Sequence, residues 1–354
     1  MRSKIKNTLP LFLAGLLLLA ACTPEEPQTE NMLFLDIEQP GANGSKVLLS
    51  DGSTYWNNGD LVKIIWGMGN AAVHPIRYTS SGRDAYLSET SGTTPASFPP
   101  AFRDYYIAAC YPKDLILGDL DVSEPHFPNM EVFFANVRIP QEQRCIILSA
   151  GHYSAESIPL VAMKGIGSNR LYMRPIGSVI DVRLTNGFSG DVRLHIDSIV
   201  VTSNLNISGN RTLIMYPGGA EATAPEFYNG NHSQANEYKK VILKLPSAAY
   251  YSYYENIFTP GTTLNFPVAL SPTDCIANAE GLPELTFHVY GFANNAPIHY
   301  TRTASLTRHL PAGAYFTAPI TLDGTAVGPV DLKPYGSGGD EINSGERFGD
   351  GGSI

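Results

Sequence analysis

Side chains able to do chemistry are few and scattered in this 354-residue chain, and Cys22 has the most specific surroundings. It follows Leu19-Ala20-Ala21, three residues small or apolar enough for a peptidase to reach the Ala21–Cys22 bond. Its thiol can take up a diacylglycerol as a thioether. Cys110, Cys145 and Cys275 are then left, an odd number that allows at most one internal disulfide and no disulfide framework. Buried single thiols, packed as small apolar groups, are the simpler expectation. The eight histidines show no H-x-H, H-x-x-H or H-E-x-x-H spacing, and there is no C-x-x-C, so no metal site or cofactor is expected. His195 and Asp197 have the spacing to share a strand face, as a structural pair.

Three further patterns are weaker. Gly67-Met68-Gly69-Asn70-Ala71-Ala72 fits G-x-G-x-x-A, but a dinucleotide site needs a helix next, and Val73-His74-Pro75 reads as the return of a hairpin. Asp119, Asp121 and Ser123 open like a calcium loop, yet Glu124 stands where glycine is required and Met130 where glutamate closes the loop. An acidic surface loop is the reading. Tyr250-Tyr251-Ser252-Tyr253-Tyr254 could stack on a sugar or line a core edge. No G-x-S-x-G elbow occurs, and a carboxylate pair of the glycosidase kind carries no motif to search for.

The elements that must position these residues begin with a leader. Residues 1–7 carry three positive charges and residues 8–20 are apolar, too short for a permanent helix across a bilayer of roughly 30 Å. With the junction at Cys22, which resembles the bacterial lipobox, residues 1–21 read as a lipoprotein signal peptide and Cys22 as the lipidated first residue. More than one acyl chain, palmitate among them, satisfies the two-signal rule for stable anchoring. Residues 22–30, Pro- and Glu-containing, form a tether, and acids so close behind the cysteine favour display on the outer face of the outer membrane. The formal charge of −9 becomes −9 − 3 = −12 once Arg2, Lys4 and Lys6 leave with the leader, which argues against nucleic acid as a partner.

Beyond the tether the pattern has period two. Leu33/Leu35/Ile37, the run Leu61–Trp66 after Asn57-Asn58-Gly59-Asp60, Ile180/Val182/Leu184, Val192/Leu194/Ile196, Val241/Leu243/Leu245 and Leu285/Phe287/Val289 all alternate. No long amphipathic helix is expected after residue 21. The fold class is therefore all-β, with one face of each sheet buried as in an antiparallel sandwich. Glycines in Lys164–Asn169 mark the expected boundary between domains at 31–167 and 168–323, and the Gly-rich tail 324–354 is expected outside a packed core.

Four segments in order resemble the fimbrillin family, the lipoprotein precursors of type V pili and their accessory subunits. Trp56–Ile64 (WNNGDLVKI) is similar to its W-x-x-G-D-x-I-x-I element, and Tyr105–Pro112 (YYIAACYP) to its Y-x-A-x-Y-P strand. Ile158–Ala162 with Leu171–Leu184 resembles the start of its second half, and Leu306–Leu322 its closing strand pair. The resemblance implies two tandem transthyretin-like antiparallel β-sandwich domains, no enzymatic activity, and a place at the outer membrane or in a fimbrium. It also implies assembly by β-strand addition, after an arginine-specific protease removes the first strand.

The sequence departs from the stalk pattern. No arginine lies between Cys22 and Arg77, and Lys46 is the only lysine in that span before Leu61. The tail alternates only at Val330 and Leu332 before Pro334, too briefly for a donor strand. These departures favour an anchor or accessory subunit, with other fimbrillin subunits, host or bacterial surface ligands, and the membrane as partners. The rival expectations are a stand-alone glycan-binding surface lipoprotein using its tyrosines, and an extracellular glycoside hydrolase.

Overall fold

The structure, a computed structural model, describes residues 32–37, 54–56, 60–66, 70–75, 77–78, 84–88, 102–113, 133–144, 147–149, 152–154, 158–215, 226–227, 236–245, 257–273 and 281–334. In chain order the strands are β1 (Met32–Ile37), β2 (Thr54–Tyr55), β3 (Leu61–Trp66), β4 (Asn70–Pro75), β5 (Arg77–Tyr78), β6 (Asp84–Ser88), β7 (Ile107–Tyr111), β8 (Phe133–Ile139), β9 (Glu142–Arg144), β10 (Ile147–Ser149), β11 (His152–Ser154) and β12 (Leu160–Lys164). They continue as β13 (Arg170–Pro175), β14 (Ser178–Asn186), β15 (Leu194–Ser203), β16 (Gly209–Met215), β17 (Glu226–Phe227), β18 (Lys240–Lys244), β19 (Ile257–Phe258), β20 (Thr263–Leu270), β21 (Glu284–Ala293), β22 (Ala296–Ser305), β23 (Tyr315–Leu322), β24 (Val327–Pro329) and β25 (Lys333–Pro334). Among the described residues the only helical turns are short 3₁₀ turns at Phe102–Asp104 and Asn236–Lys239. The molecule is all-β, as the period-two pattern requires.

The first half is built on an eight-stranded sheet, β4-β3-β7-β12-β13-β1-β6-β5. One of its faces packs Leu33, Leu35, Val62, Ile64, Leu160 and Leu171 into the main core. Over the other face lie Val137 and Ile139 of β8 with Leu213 and Met215 of β16, against Ile65, Ala108, Cys110, Val161 and Met163. Strands β7 and β12 are thus buried on both faces, and their sequences, IAACY and LVAMK, are nearly continuous apolar runs rather than alternating ones.

The second half layers the sheet β20-β14-β23-β25 on the sheet β24-β22-β21-β15-β18-β9. Val182, Leu184 and Phe266 from one meet Ile199, Val201 and Phe287 from the other in the same core. Burying each such side chain contributes about 1.5–3 kcal/mol. Asp181 shows where alternation misleads. It lies in β14 where a wet face was expected, yet it is buried, and Arg183 Nε donates to its Oδ2 at 2.8 Å.

Two features differ from the sequence reading. The sheets are mixed: β1–β13, β14–β23, β18–β9, β22–β24 and β11–β2 pair in parallel. Alternation fixes which face a residue takes, not the direction of its neighbour. Nor does the pairing break at 167/168. Residues 165–169 connect β12 to its antiparallel neighbour β13, with Gly167 at φ +89°, and β13 completes the first sheet. From the other side, β8 and β9 of the first half pair with β16 and β18 of the second. A glycine-rich hairpin and a glycine-rich linker have the same composition, so the sequence could not separate them.

Candidate assembly and surface site

Cys22 and Ala21 lie outside the described residues, as does the tether, but the strand that follows them is well placed. Met32 is ten residues after Cys22. Strand β1 sits inside the eight-stranded sheet, parallel to β13 and antiparallel to β6. Its alternation puts Leu33 and Leu35 fully in the core and leaves Phe34 and Asp36 partly exposed. Phe34 N–H donates to Asn169 O at 2.9 Å. Arg170 pairs with Asp36 and lies 5.3 Å from the Phe34 ring centroid. That ion pair is half in water and contributes little; the two leucines and the two ladders hold the strand.

The chain's end behaves differently from the expectation for 324–354. Residues 324–334 dock on the second sandwich, while 335–354 lie outside the described residues. Strand β24 pairs with β22, β25 pairs with β23, and Val330 between them is buried in the core with Leu332 packed against it. The two-step alternation at 330 and 332, too short for a donor strand, is enough to close one side of its own sandwich. Arg302, itself buried, fastens the approach. Its Nη2 donates to Thr321 O at 3.1 Å and Thr325 O at 2.7 Å, and its Nη1 donates to Thr301 O at 3.0 Å. Val330 N–H donates to Thr303 O at 3.0 Å and Thr301 N–H to Ala326 O at 2.8 Å.

The outer face of β21 and β22 gathers aromatic and imidazole rings. Tyr290 and Phe292 are each 38% exposed, high for such large side chains. The Tyr290 and His299 rings stack with centroids 4.4 Å apart and planes 5° from parallel, and His288 lies 5.5 Å from His299. His288 Nδ1 is 3.3 Å from His299 Nε2 and 3.4 Å from Thr301 Oγ1. Burial holds the His288 imidazole below its usual range, and His299 and then Lys240 push the same way. Further along, His195 stacks on Phe292 and its Nδ1 lies 3.4 Å from Asp197 Oδ1, the shared strand face expected for that pair. Opposite them Gly291 is forced: a Cβ there would stand 2.0 Å from His195 O.

The sequence reading missed the imidazole pair because its histidines are eleven residues apart on different strands. The signal was present in the turn. Asn294 and Asn295, at φ 44° and 72°, form a two-residue hairpin connection of the kind asparagine tolerates. That turn sets Tyr290 opposite His299 and His288 opposite Thr301, which makes the two histidines diagonal neighbours.

Of the other sequence candidates, Asn70–Ala72 of the G-x-G-x-x-A segment open strand β4, antiparallel to β3, where a nucleotide loop would need a helix, while Gly67–Gly69 lie outside the described residues. The Asp119–Met130 loop, Cys145, Cys275 and Tyr250–Tyr254 lie outside the described residues. Cys110 is a free, buried thiol; burial pushes its pKa up to about 12 although Lys63 works the other way, so it is inert. Lys164 is the buried amine of the first sandwich. Its Nζ donates to Tyr105 O at 2.8 Å and Gly165 O at 3.2 Å, and burial lowers its pKa from 10.5 to about 8, against the pull of Asp104.

A pH effect follows from Lys164. Between about pH 8 and 10.5 the unfolded chain binds the Lys164 proton and the folded one does not, so this site's contribution to stability rises with pH. Urea midpoints of wild type minus Lys164→Met should therefore increase from pH 7.5 to pH 10. A flat or falling difference would contradict the buried amine.

No family model matches the chain, and no curated protein matches it. Solved structures that it is similar to include a candidate cell adhesion protein from Bacteroides ovatus, at 11% identity and TM-score 0.43, covering 86% of this chain and 94% of that one. Another candidate cell adhesion protein, from Bacteroides uniformis, has 14% identity and TM-score 0.37, covering 87% and 97%. The tip fimbrial protein Mfa3 from Porphyromonas gingivalis, with its C-terminus truncated, has 10% identity and TM-score 0.29, covering 85% and 98%.

Proposed function

We propose that this chain is a fimbrillin-like outer-membrane lipoprotein serving a type V pilus as an anchor or accessory subunit, with an adhesive role at the cell surface. The observation that carries this reading is the place of β1. The strand nearest Cys22 is an interior strand of its sheet, with Leu33 and Leu35 wholly buried. Nothing between Cys22 and Arg77 offers an arginine-specific protease a site, so lipid and sandwich stay on one covalent chain. Ten residues extend to about 35 Å at most, which keeps the first sandwich close to the membrane surface. The four segments similar to fimbrillins support the family reading.

In this reading the two sandwich units expected at 31–167 and 168–323 form the body. Strand β13 of the second span completes the first sheet, and β8 and β9 of the first span pair into the second half. Cys22 carries the lipid, Ala21 is the last residue of the leader, and pilus subunits or surface ligands meet the exposed sheet faces and loops. The protein acts by binding, without a cofactor. Replacing Cys22 with alanine should move nearly all of the protein from the membrane pellet to the soluble fraction, as seen by immunoblot. Unchanged retention in the pellet would sink the anchoring role.

A further inference from the structure

We propose that His288 and His299 form a two-imidazole chelate for a late first-row divalent ion, zinc or copper(II), on the outer face of the β21–β22 hairpin. The two nitrogens, His288 Nδ1 and His299 Nε2, stand 3.3 Å apart. An ion held at 2.0–2.1 Å from each would subtend an angle of about 105–110°, close to tetrahedral. The hairpin is paired along its whole length, and His299 is braced flat against Tyr290. Imidazole lone pairs lie in the ring plane, so stacking leaves the nitrogen edges available as ligands.

The environment sets both sides of the balance. Burial, His299 and Lys240 all favour the neutral form of His288, which is the form that binds metal. Lys240 also opposes an arriving cation. Among the described residues no set of three or more histidine, cysteine or acidic side chains is placed to hold a metal, so the remaining coordination positions belong to water, with the Thr301 hydroxyl beside them. A site with two protein ligands and open positions binds reversibly. It should follow the usual preference of nitrogen donors for copper(II) over zinc.

The test uses the full chain stripped with EDTA and titrated calorimetrically with zinc chloride and copper(II) chloride. Saturable binding is expected, tighter for copper, whose electron paramagnetic resonance spectrum should show two coupled nitrogens. His288→Gln and His299→Gln should each weaken it by at least about tenfold, while His309→Gln leaves it unchanged. Melting of the metal-free variants at the wild-type temperature separates loss of a ligand from loss of fold. Lys240→Met gives an independent check, since removing the repelling charge should tighten binding. No saturable binding, binding indifferent to both histidine variants, or no gain from Lys240→Met would overturn the site and leave the pair as two hydrogen-bonded imidazoles.

Discussion

Leu35→Asp is expected to unfold the first sandwich. Leu35 is fully buried in β1, between Leu171 of β13 and Ala85 of β6. Trimming such a leucine to alanine costs about 2–5 kcal/mol through lost burial and the cavity left behind. A carboxylate at the same point adds the expense of an unpaired charge in an apolar core. Together they rival the whole stability of a typical domain, about 5–15 kcal/mol. The chain's two tryptophans make the result readable, because Trp56 and Trp66 both sit in this core. Their emission should shift to the red at room temperature in Leu35→Asp, and Leu35→Ala should show a lower melting temperature. Phe34→Ala, on the half-exposed face of the same strand, should cost only about 1 kcal/mol. Wild-type emission and melting in Leu35→Asp would mean that β1 is not part of the sandwich, and the proposal for its anchoring would fail with it.

The second large effect is expected at Arg302. Methionine keeps most of its length but removes every donor, leaving Thr321 O in β23 and Thr325 O within 324–334 without their charged partner. Hydrogen bonds to a charged group are worth about 1.5–3 kcal/mol each, so docking of 324–334, held through Thr325 O, should weaken by about 1.5–3 kcal/mol. The local readout is hydrogen exchange at the Val330 amide, bonded to Thr303 O at 3.0 Å. At about 1.4 kcal/mol per factor of ten, its protection should fall about tenfold to a hundredfold. Arg302→Lys should lose less, keeping the charge but not the fork that reaches two carbonyls at once. Unchanged protection in Arg302→Met would show that Val330 and Leu332 hold the tail by burial alone.

Much of the fold could be read from alternation. Ile180/Val182/Leu184, Leu194/Ile196, Val241/Leu243 and Leu285/Phe287/Val289 all became strands with those residues in the core. What alternation cannot carry is the identity of the neighbour. The parallel pairings of β1 and β14 depend on long connections and on which edge is free, and neither leaves a local trace. The same holds for Glu142–Arg144, which ends on the edge of the second half's sheet. Residues 324–334 read as part of a loose tail because glycines outweigh the two well-spaced apolar residues Val330 and Leu332. The imidazole pair was missed because linear spacing was searched, whereas the Asn294-Asn295 turn folds positions 288 and 299 together.

The central claim, a lipid at Cys22 joined without a break to a buried first strand, is tested most directly on protein taken from outer membranes. The mass of its N-terminal peptide should correspond to a chain that starts at Cys22 and carries acyl groups. A free amino terminus within β1 or beyond it would contradict the account.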